Sequence, residues 1–429
     1  MIITGNIYCV KGDILYTKEF GKYEIVNSGH IVIKDGKVEG VYPHLPAEIE
    51  NIDIIDYGNS LIIPGFIDLH LHAPQFPNIG LGLDKELIPW LETYTFPEES
   101  KYADLEYSKK VYSTLIKELW KYGTTRCCVF STIHKESTKL LIELFNSSGL
   151  GAYVGKVNMD INSPNSLLEN TDNSFKDTES LINEYKDKYK LVKPIITPRF
   201  VPTCSNKLLN SLGDIAKKFN IPVQSHLSEN KSEVGLVREM YPKIKSYSDV
   251  YNLAGLLGDT KTIMAHCVLL DDDEINLISK KNVFVAHCPT SNVNLSSGVA
   301  PIRKLISNGV KVGLATDISG GHTLSMMNVI SYSLQMSNLK WLESGNKETP
   351  LTTAEAFYLA TKGGGEFFGK VGSFEKGFDF DALVIQDNPN KYFVNLSIEE
   401  RIQKFIYSGD FTQIKVRYVD GKKVNEPMI

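Results

Sequence analysis

The sequence has little that would direct a protein to a membrane or to nucleic acid. Its apolar stretches are too short to span a bilayer. Basic and acidic residues are nearly balanced, 46 against 51, and long runs of one charge are absent. We therefore expect neither a nucleic-acid partner nor a membrane partner.

Paired cysteines are also lacking. The six cysteines form no C-x-x-C pair and follow no regular spacing, and we interpret them as free thiols in a reducing compartment. They are Cys9, Cys127, Cys128, Cys204, Cys267 and Cys288. The first residues lack a positively charged segment followed by a long apolar core, so a cytoplasmic location is expected.

Short β-type runs occur at both ends of the chain, for example Ile7–Val10 and Ile414–Val419. Asp-Gly pairs between such runs favour hairpins. Neither end alone has enough residues for a comfortable core. We therefore predict one small β-sandwich domain, built from residues 1–63 and 371–429, beside a central domain of residues 64–370.

Between the ends, short apolar runs alternate with amphipathic helical stretches such as Ser108–Lys121 and Lys207–Phe219. This α/β alternation is typical of parallel strand-helix units and predicts a TIM-like (β/α)8 barrel with insertions, with a doubly wound sheet as the alternative. The predicted strands are Phe66–Leu69, Thr124–Phe130, Ala152–Met159, Leu191–Phe200, Val223–His226, Thr262–His266, Val283–His287 and Lys311–Thr316.

Ionisable side chains fall where these strands end. His70 and His72 lie two residues apart after the first strand, a spacing that places both on one face. The groups that end later strands are His226, His266, His287 and Asp317. Strand ends of a barrel meet at one mouth, and burying so many ionisable groups without a function would be costly. Since imidazole is a favoured ligand of divalent transition metals, the pattern indicates a metal site.

Five stretches together resemble the ordered signature of the amidohydrolase superfamily. They are PGFIDLHLHAPQ (64–75), SHLSE (225–229), AHC (265–267), HCPTSN (287–292) and ATD (315–317). The β-rich ends resemble the composite β domain of that superfamily. Further stretches resemble the members that deaminate guanine to xanthine and ammonia, namely HAPQF (72–76), WLETYTFP (90–97), TPRF (197–200) and SHLSEN (225–230). The resemblance implies a metal-dependent hydrolase that acts on guanine as a homodimer.

The resemblance also implies one metal ion per subunit, with zinc expected and iron as the alternative. The ligands that it implies are His70, His72, His226 and Asp317. Three imidazoles and one carboxylate leave room for a water, as a catalytic zinc site requires. Binuclear amidohydrolases carry a carboxylated lysine at the end of the fourth strand. Here that strand ends in Thr197-Pro198-Arg199, and Lys193 lies too early, so one metal is predicted.

For the chemistry, the resemblance implies that hydroxide formed from metal-activated water is the nucleophile. Glu229, three residues after His226, is expected to pass protons between water, ring nitrogen and leaving amine. Asp317 is expected to accept a hydrogen bond from the attacking water. His266 is expected to orient or stabilise that water without binding the metal.

The same resemblance implies that the guanidinium of Arg199 and the side-chain amide of Gln75 recognise guanine. Arg199 offers a rigid set of donors suited to the C6 carbonyl, and Gln75 can donate and accept at the opposite ring edge. The other implied substrate contacts are Phe200, His72, His226 and His266. Four aromatic residues of segment 73–100 can form an apolar ceiling over a purine or equally fill a core, namely Phe76, Trp90, Tyr94 and Phe96.

Two other functions stay open at this point. The same scaffold serves deaminases and chlorohydrolases of other aminated azines, such as triazines or pterins, although Arg199, Phe200 and Gln75 favour guanine. A non-catalytic metal-binding protein would have no need of Glu229, so that acid favours an enzyme. The zinc deaminases of nucleic acids need a P-C-x-x-C motif, which this sequence lacks.

Overall fold

The structure, a computed structural model, describes residues 7–49, 52–387 and 395–429. Residues 1–6, with which the predicted N-terminal segment starts, lie outside these ranges. Helices and strands are mixed along the chain. None of the helices in the described ranges combines the length and the apolar character needed to cross a bilayer.

The elements are numbered in chain order. The strands in the described ranges are β1 (Ile7–Glu19), β2 (Lys22–Lys34), β3 (Lys37–Tyr42), β4 (Asp53–Pro64), β5 (Phe66–His72), β6 (Thr124–Phe130), β7 (Gly151–Gly155), β8 (Val157–Asn158), β9 (Val192–Pro194), β10 (Thr197–Pro198), β11 (Val223–Leu227), β12 (Thr262–His266), β13 (Phe284–His287), β14 (Lys311–Leu314), β15 (Ala382–Ile385), β16 (Ile414–Val419) and β17 (Lys422–Lys423).

The α-helices lie mainly between these strands. They are α1 (Leu87–Trp90), α2 (Phe96–Glu99), α3 (Leu105–Lys121), α4 (Lys135–Ser148), α5 (Thr171–Tyr185), α6 (Asn206–Phe219), α7 (Lys231–Met240), α8 (Tyr247–Leu253), α9 (Asp272–Lys280), α10 (Pro289–Asn294), α11 (Ile302–Ser307), α12 (Met326–Glu343), α13 (Thr353–Tyr358) and α14 (Ile398–Ser408).

Strands from both chain ends form one seven-stranded sheet in the order β17-β16-β15-β4-β1-β2-β3. The two ends join where β4 pairs antiparallel with β15, from Leu61 opposite Ile385 to Pro64 opposite Ala382. The predicted pairing of the ends is therefore observed. These described strands belong to a single sheet, so the predicted two-layer sandwich is not confirmed, and the domain limits stay a proposal.

The central strands are parallel. They form two four-stranded sheets, β5-β6-β7-β9 and β11-β12-β13-β14, with β8 and β10 as a separate pair. Backbone hydrogen bonds cross between the two larger sheets at both junctions. Asp317 N donates to His70 O over 2.9 Å, and Gln224 N donates to Ile196 O over 2.9 Å. His72 N also donates to Ile318 O, and Ile196 N donates to Pro222 O, each over 2.9 Å. Both junctions are thus joined by backbone hydrogen bonds, while the strands do not make one continuous closed sheet.

Strand boundaries differ from the prediction at two informative places. Leu191–Phe200 was expected as one strand but is divided into β9 and β10. Pro194 and Pro198 lie at the ends of these pieces and lack the N–H that a continuous ladder needs. The first central strand instead runs on to His72, so both histidines of the H-x-H pair lie within β5.

A buried ion pair connects the central strands to the end sheet. Arg126 on β6 is 5% exposed and Asp381, beside β15, is 1% exposed. The guanidinium donates through Nε over 2.6 Å and through Nη2 over 3.1 Å to the two carboxylate oxygens. Such a two-point contact fixes the geometry as well as the charge. The end sheet is therefore held in register with β6.

Candidate active site

Three histidines and one aspartate converge at the ends of β5, β11 and β14. The Nε2 atoms of His72 and His226 lie 3.1 Å apart. Asp317 Oδ1 lies 3.2 Å from Nε2 of His70 and 3.6 Å from Nε2 of His72. All four side chains are buried. The structure thus brings together the four residues for which metal ligation was predicted.

The hydrogen bonds of His226 decide which of its nitrogens is free to bind a ligand. Its Nδ1 lies 2.6 Å from the backbone oxygen of Arg199. Because a carbonyl oxygen only accepts, Nδ1 carries the hydrogen. In a neutral imidazole, Nε2 then keeps a lone pair that faces His72. A backbone carbonyl that orients a histidine in this way is a common outer partner of a metal ligand.

The donor set fits a divalent transition metal. Burial, followed by the neighbouring imidazole of His70, lowers the pKa of both His72 and His226 well below the ordinary value, which keeps these rings neutral. His70 Nε2 is buried and has no hydrogen-bond partner among the described residues. Two triads of ligand atoms, each within 4.8 Å, share His70; they are His70, His72, His226 and His70, His266, Asp317. Neutral imidazoles with one carboxylate suit zinc or iron.

The contact of the Lys193 side chain shows whether this lysine could take part in a second metal site. Its Nζ donates to Lys186 O over 3.0 Å and so is engaged away from the strand ends. The lysine that a binuclear site would need is therefore not supplied by this residue, and one metal per subunit stays a prediction.

Glu229 lies immediately before helix α7, whose N-cap is Asn230. Glu233, in the first turn of that helix, accepts hydrogen bonds from the backbone N–H groups of Glu229 over 2.9 Å and Asn230 over 3.2 Å. The Glu229 side chain is 3% exposed and its Oε2 lies 3.4 Å from His266 Nε2. The cap of α7 therefore holds the acid beside the histidine cluster.

The two carboxylates of the site have pKa values moved in opposite directions. Burial, followed by the charge of Asp317, raises the pKa of Glu229 well above its ordinary value. For Asp317, burial also acts to raise the pKa, but the imidazoles of His70 and His266 outweigh it and lower the pKa. Two acids separated in this manner suit different tasks, since one can exchange protons with a reactant while the other stays ionised.

His266 occupies the position between these two acids. Its Nδ1 lies 2.9 Å from Asn292 Oδ1, so that nitrogen donates, and its Nε2 lies 3.7 Å from Asp317 Oδ2. Asn292, within the HCPTSN stretch, was not singled out from the sequence, although the motif contains it. His287 lies elsewhere: it lines a separate cavity with Arg303 and Lys340, and burial lowers its pKa to about 3.

A cavity opens next to the histidine cluster. Its walls bring the predicted metal ligands and acids together with the residues predicted to bind substrate. The lining residues are His72, Gln75, Leu87, Trp90, Leu91, Arg199, Phe200, His226, Glu229, His266, Leu295 and Asp317. Trp90 is thus the aromatic residue of segment 73–100 that contributes to the wall, and Phe96 instead lies 5.1 Å from the Arg199 guanidinium.

Sequence comparisons place this site in a known family. The Amidohydrolase family model matches residues 61–424. Guanine deaminase of Dictyostelium discoideum is 41% identical over 96% of this chain and 97% of its own length. Guanine deaminase of Escherichia coli strain K12 is 34% identical over 94% of this chain and 92% of its own length.

A solved structure is similar as well. The crystal structure of guanine deaminase from C. acetobutylicum with bound guanine in the active site is 52% identical, has a TM-score of 0.96, and aligns with 98% of this chain and 100% of that chain. The chain therefore belongs to the amidohydrolase family and, within it, to the guanine deaminases. Its fold is accordingly of the amidohydrolase barrel type.

Proposed function

We propose that this protein is a metal-dependent hydrolase that converts guanine and water into xanthine and ammonia. The observation that carries the proposal is the shared cavity, which is lined by Glu229 and the histidine cluster as well as by Arg199 and Gln75. A relative with 52% identity holds guanine in its active site, which supports the same substrate here.

The reaction replaces the C2 amine of guanine by an oxygen from water. His70, His72, His226 and Asp317 would hold the metal ion, and the metal would lower the pKa of a bound water far enough to make hydroxide available at neutral pH. Homodimer formation and zinc rather than iron are further proposals, tested by light scattering and by metal analysis.

The acidic side chains of Glu229 and Asp317 act on the protons of the attacking water. Glu229 Oε1 is buried and has no hydrogen-bond partner among the described residues, so it is free to contact water or substrate. Glu229, as a carboxylate, takes one proton from the attacking water and delivers it to the ring nitrogen, and it then takes the proton of the new C2 hydroxyl and delivers it to the leaving amine. Asp317 accepts a hydrogen bond from that water, and His266 holds it in place from the other side.

Recognition of the base uses polar groups on an otherwise apolar wall. Arg199 donates to the C6 carbonyl, and Gln75 pairs with the opposite ring edge. Leu87, Trp90 and Phe200 supply apolar surface for the faces of a flat heterocycle. A substrate lacking the C6 oxygen would leave the buried Arg199 donors unpaired, which is the basis of discrimination.

A substrate panel tests the proposal. Release of ammonia from guanine, adenine, cytosine and melamine is followed with the metal-loaded protein under the same conditions. We expect kcat/KM to be highest for guanine. Preference for melamine would instead indicate an enzyme of other aminated azines, and the absence of turnover on all four would indicate a metal-binding protein without this activity.

A further inference from the structure

Glu99 contacts both residues assigned to base recognition, although it lies in neither of their elements. It ends helix α2 and is 1% exposed. Its Oε1 accepts a hydrogen bond from Gln75 Nε2 over 2.9 Å, and its Oε2 accepts one from Arg199 Nη1 over 2.5 Å. One buried carboxylate thus connects a residue that follows β5 with a residue that follows β10.

We propose that Glu99 is a positioning residue. It holds the side chains of Gln75 and Arg199 in fixed positions relative to each other and thereby determines specificity for a 6-oxopurine. The proposal rests on the proposed function, since it assigns the specificity of that same cavity. Glu99 itself is not among the residues that line the cavity, so it acts through its two partners.

The contact with Glu99 fixes which end of the Gln75 amide faces which neighbour. A carboxylate oxygen only accepts, so the amide nitrogen must face Glu99. On the other side, Gln75 Oε1 accepts a hydrogen bond from Ser319 N over 3.2 Å. With both ends engaged, the amide cannot turn over, and its second N–H and second lone pair keep a set direction for a ligand.

The Arg199 fork is held by two groups from one helical turn. Phe96 and Glu99, three residues apart on α2, supply a ring 5.1 Å from the guanidinium and the carboxylate that accepts from Nη1. Arg199 is 3% exposed, so its charge needs a partner when buried. Glu99 balances that charge and fixes the orientation of the guanidinium. The remaining N–H donors of Arg199 therefore point in set directions, in a site without net charge that suits an uncharged base.

The expected effect of losing Glu99 is weaker and less selective binding. A misplacement of about 1 Å in the groups that position a substrate can cost about 10²-fold, which here should appear in kcat/KM. We expect Glu99→Gln to raise KM for guanine by about 10- to 100-fold, to leave kcat at saturation within a few-fold of wild type, and to keep the metal. The ratio of kcat/KM for guanine to that for 2-aminopurine, which lacks the C6 oxygen, should fall.

Glu98→Gln is the matched control. Glu98 is the preceding residue of the same helix and is also buried, but its carboxylate contacts Lys101 Nζ over 2.6 Å and the hydroxyl of Tyr107. This variant should behave like wild type in KM and in the substrate ratio. A general effect of losing a buried charge on α2 would change KM and the substrate ratio in both variants. Loss of the positioning contacts should change them in Glu99→Gln alone.

Glu99→Asp provides a second test should Glu99→Gln fail to fold. It keeps the charge but is one methylene shorter, so we expect it to lose one of the two contacts and part of the selectivity. Equal KM values and substrate ratios in Glu98→Gln and Glu99→Gln, or wild-type selectivity in Glu99→Asp, would overturn the positioning role while leaving the proposed function intact. Wild-type protein that neither binds nor deaminates guanine would overturn both.

Discussion

The Nε2 atoms of His72 and His226 lie 3.1 Å apart, although 154 positions separate the two residues in the sequence. His226 has its hydrogen on Nδ1, where it donates to Arg199 O, so its Nε2 is an acceptor. Burial keeps both rings neutral. Two neutral imidazoles with Nε2 atoms this close can bind one metal ion together, and this relationship supports the predicted metal site.

Metal content is the first prediction. Purified protein should contain about one transition metal per chain, because three imidazoles and one carboxylate form one four-ligand site. His226→Ala should lose metal and activity together, as measured by elemental analysis and ammonia release. His30→Gln is the control, since His30 lies on β2 in the end sheet. Two tightly bound metals per chain would contradict the mononuclear site.

Substitution of Glu229 should separate catalysis from binding. Glu229→Gln keeps the size of the side chain but removes its ability to transfer a proton, so kcat should fall by about 10²–10⁴-fold while metal and guanine are still bound. Steady-state kinetics and metal analysis measure the two effects. Glu239→Gln, an exposed position on α7, should leave kcat unchanged. A change confined to KM would argue against proton transfer by Glu229.

Arg199→Lys tests whether Arg199 recognises the C6 carbonyl of guanine. Lysine keeps the charge but lacks the planar fork, so kcat/KM for guanine should fall, mainly through a higher KM. Wild type should be poor on 2-aminopurine, and the variant should be little worse, because the lost contact was never available to that substrate. Comparison of two enzymes with two substrates isolates the contact. Equal impairment on both substrates would mean that Arg199 does not read the carbonyl.

The junction between the end sheet and β6 should depend on Asp381. Asp381→Asn removes the two-point charged partner of Arg126 and leaves only Asp379 Oδ2, 3.4 Å from Nη2. Because loss of one member of a buried pair costs about 3–5 kcal/mol, the free energy of unfolding should fall by up to that amount. Denaturant titration measures the loss. Asp273→Asn, which removes an exposed partner of Lys245, should leave the unfolding midpoint unchanged. Equal midpoints for the two variants would contradict the role of the buried pair.

Many of the strands and the site residues at their ends could be predicted from the sequence, because the sequence patterns that indicate them are local. Thr124–Phe130 and Thr262–His266 are observed with the predicted bounds, since each is a short run rich in β-branched and apolar residues. The convergence of His70, His226 and Asp317 follows from their positions at or near the carboxyl ends of strands, once these strands are parallel.

Other features depend on contacts between distant residues and leave no local signal. Glu99 lies in a segment without a strand end, and only the folded chain shows that it joins Gln75 to Arg199. His287 has the same strand-end signal as His266 but lines another cavity, because direction on a strand is decided by packing. The number of layers formed by the chain ends likewise depends on pairing across the whole chain.

Hydrolysis of guanine in water labelled with heavy oxygen tests the central claim most directly. Metal-loaded protein should release one ammonia per guanine consumed and form xanthine with a single labelled oxygen at C2, as measured by mass spectrometry, and Glu229→Gln should slow both products equally. Xanthine without the label, or guanine left unchanged by metal-loaded protein, would contradict the assignment of this site as one that deaminates guanine by hydrolysis.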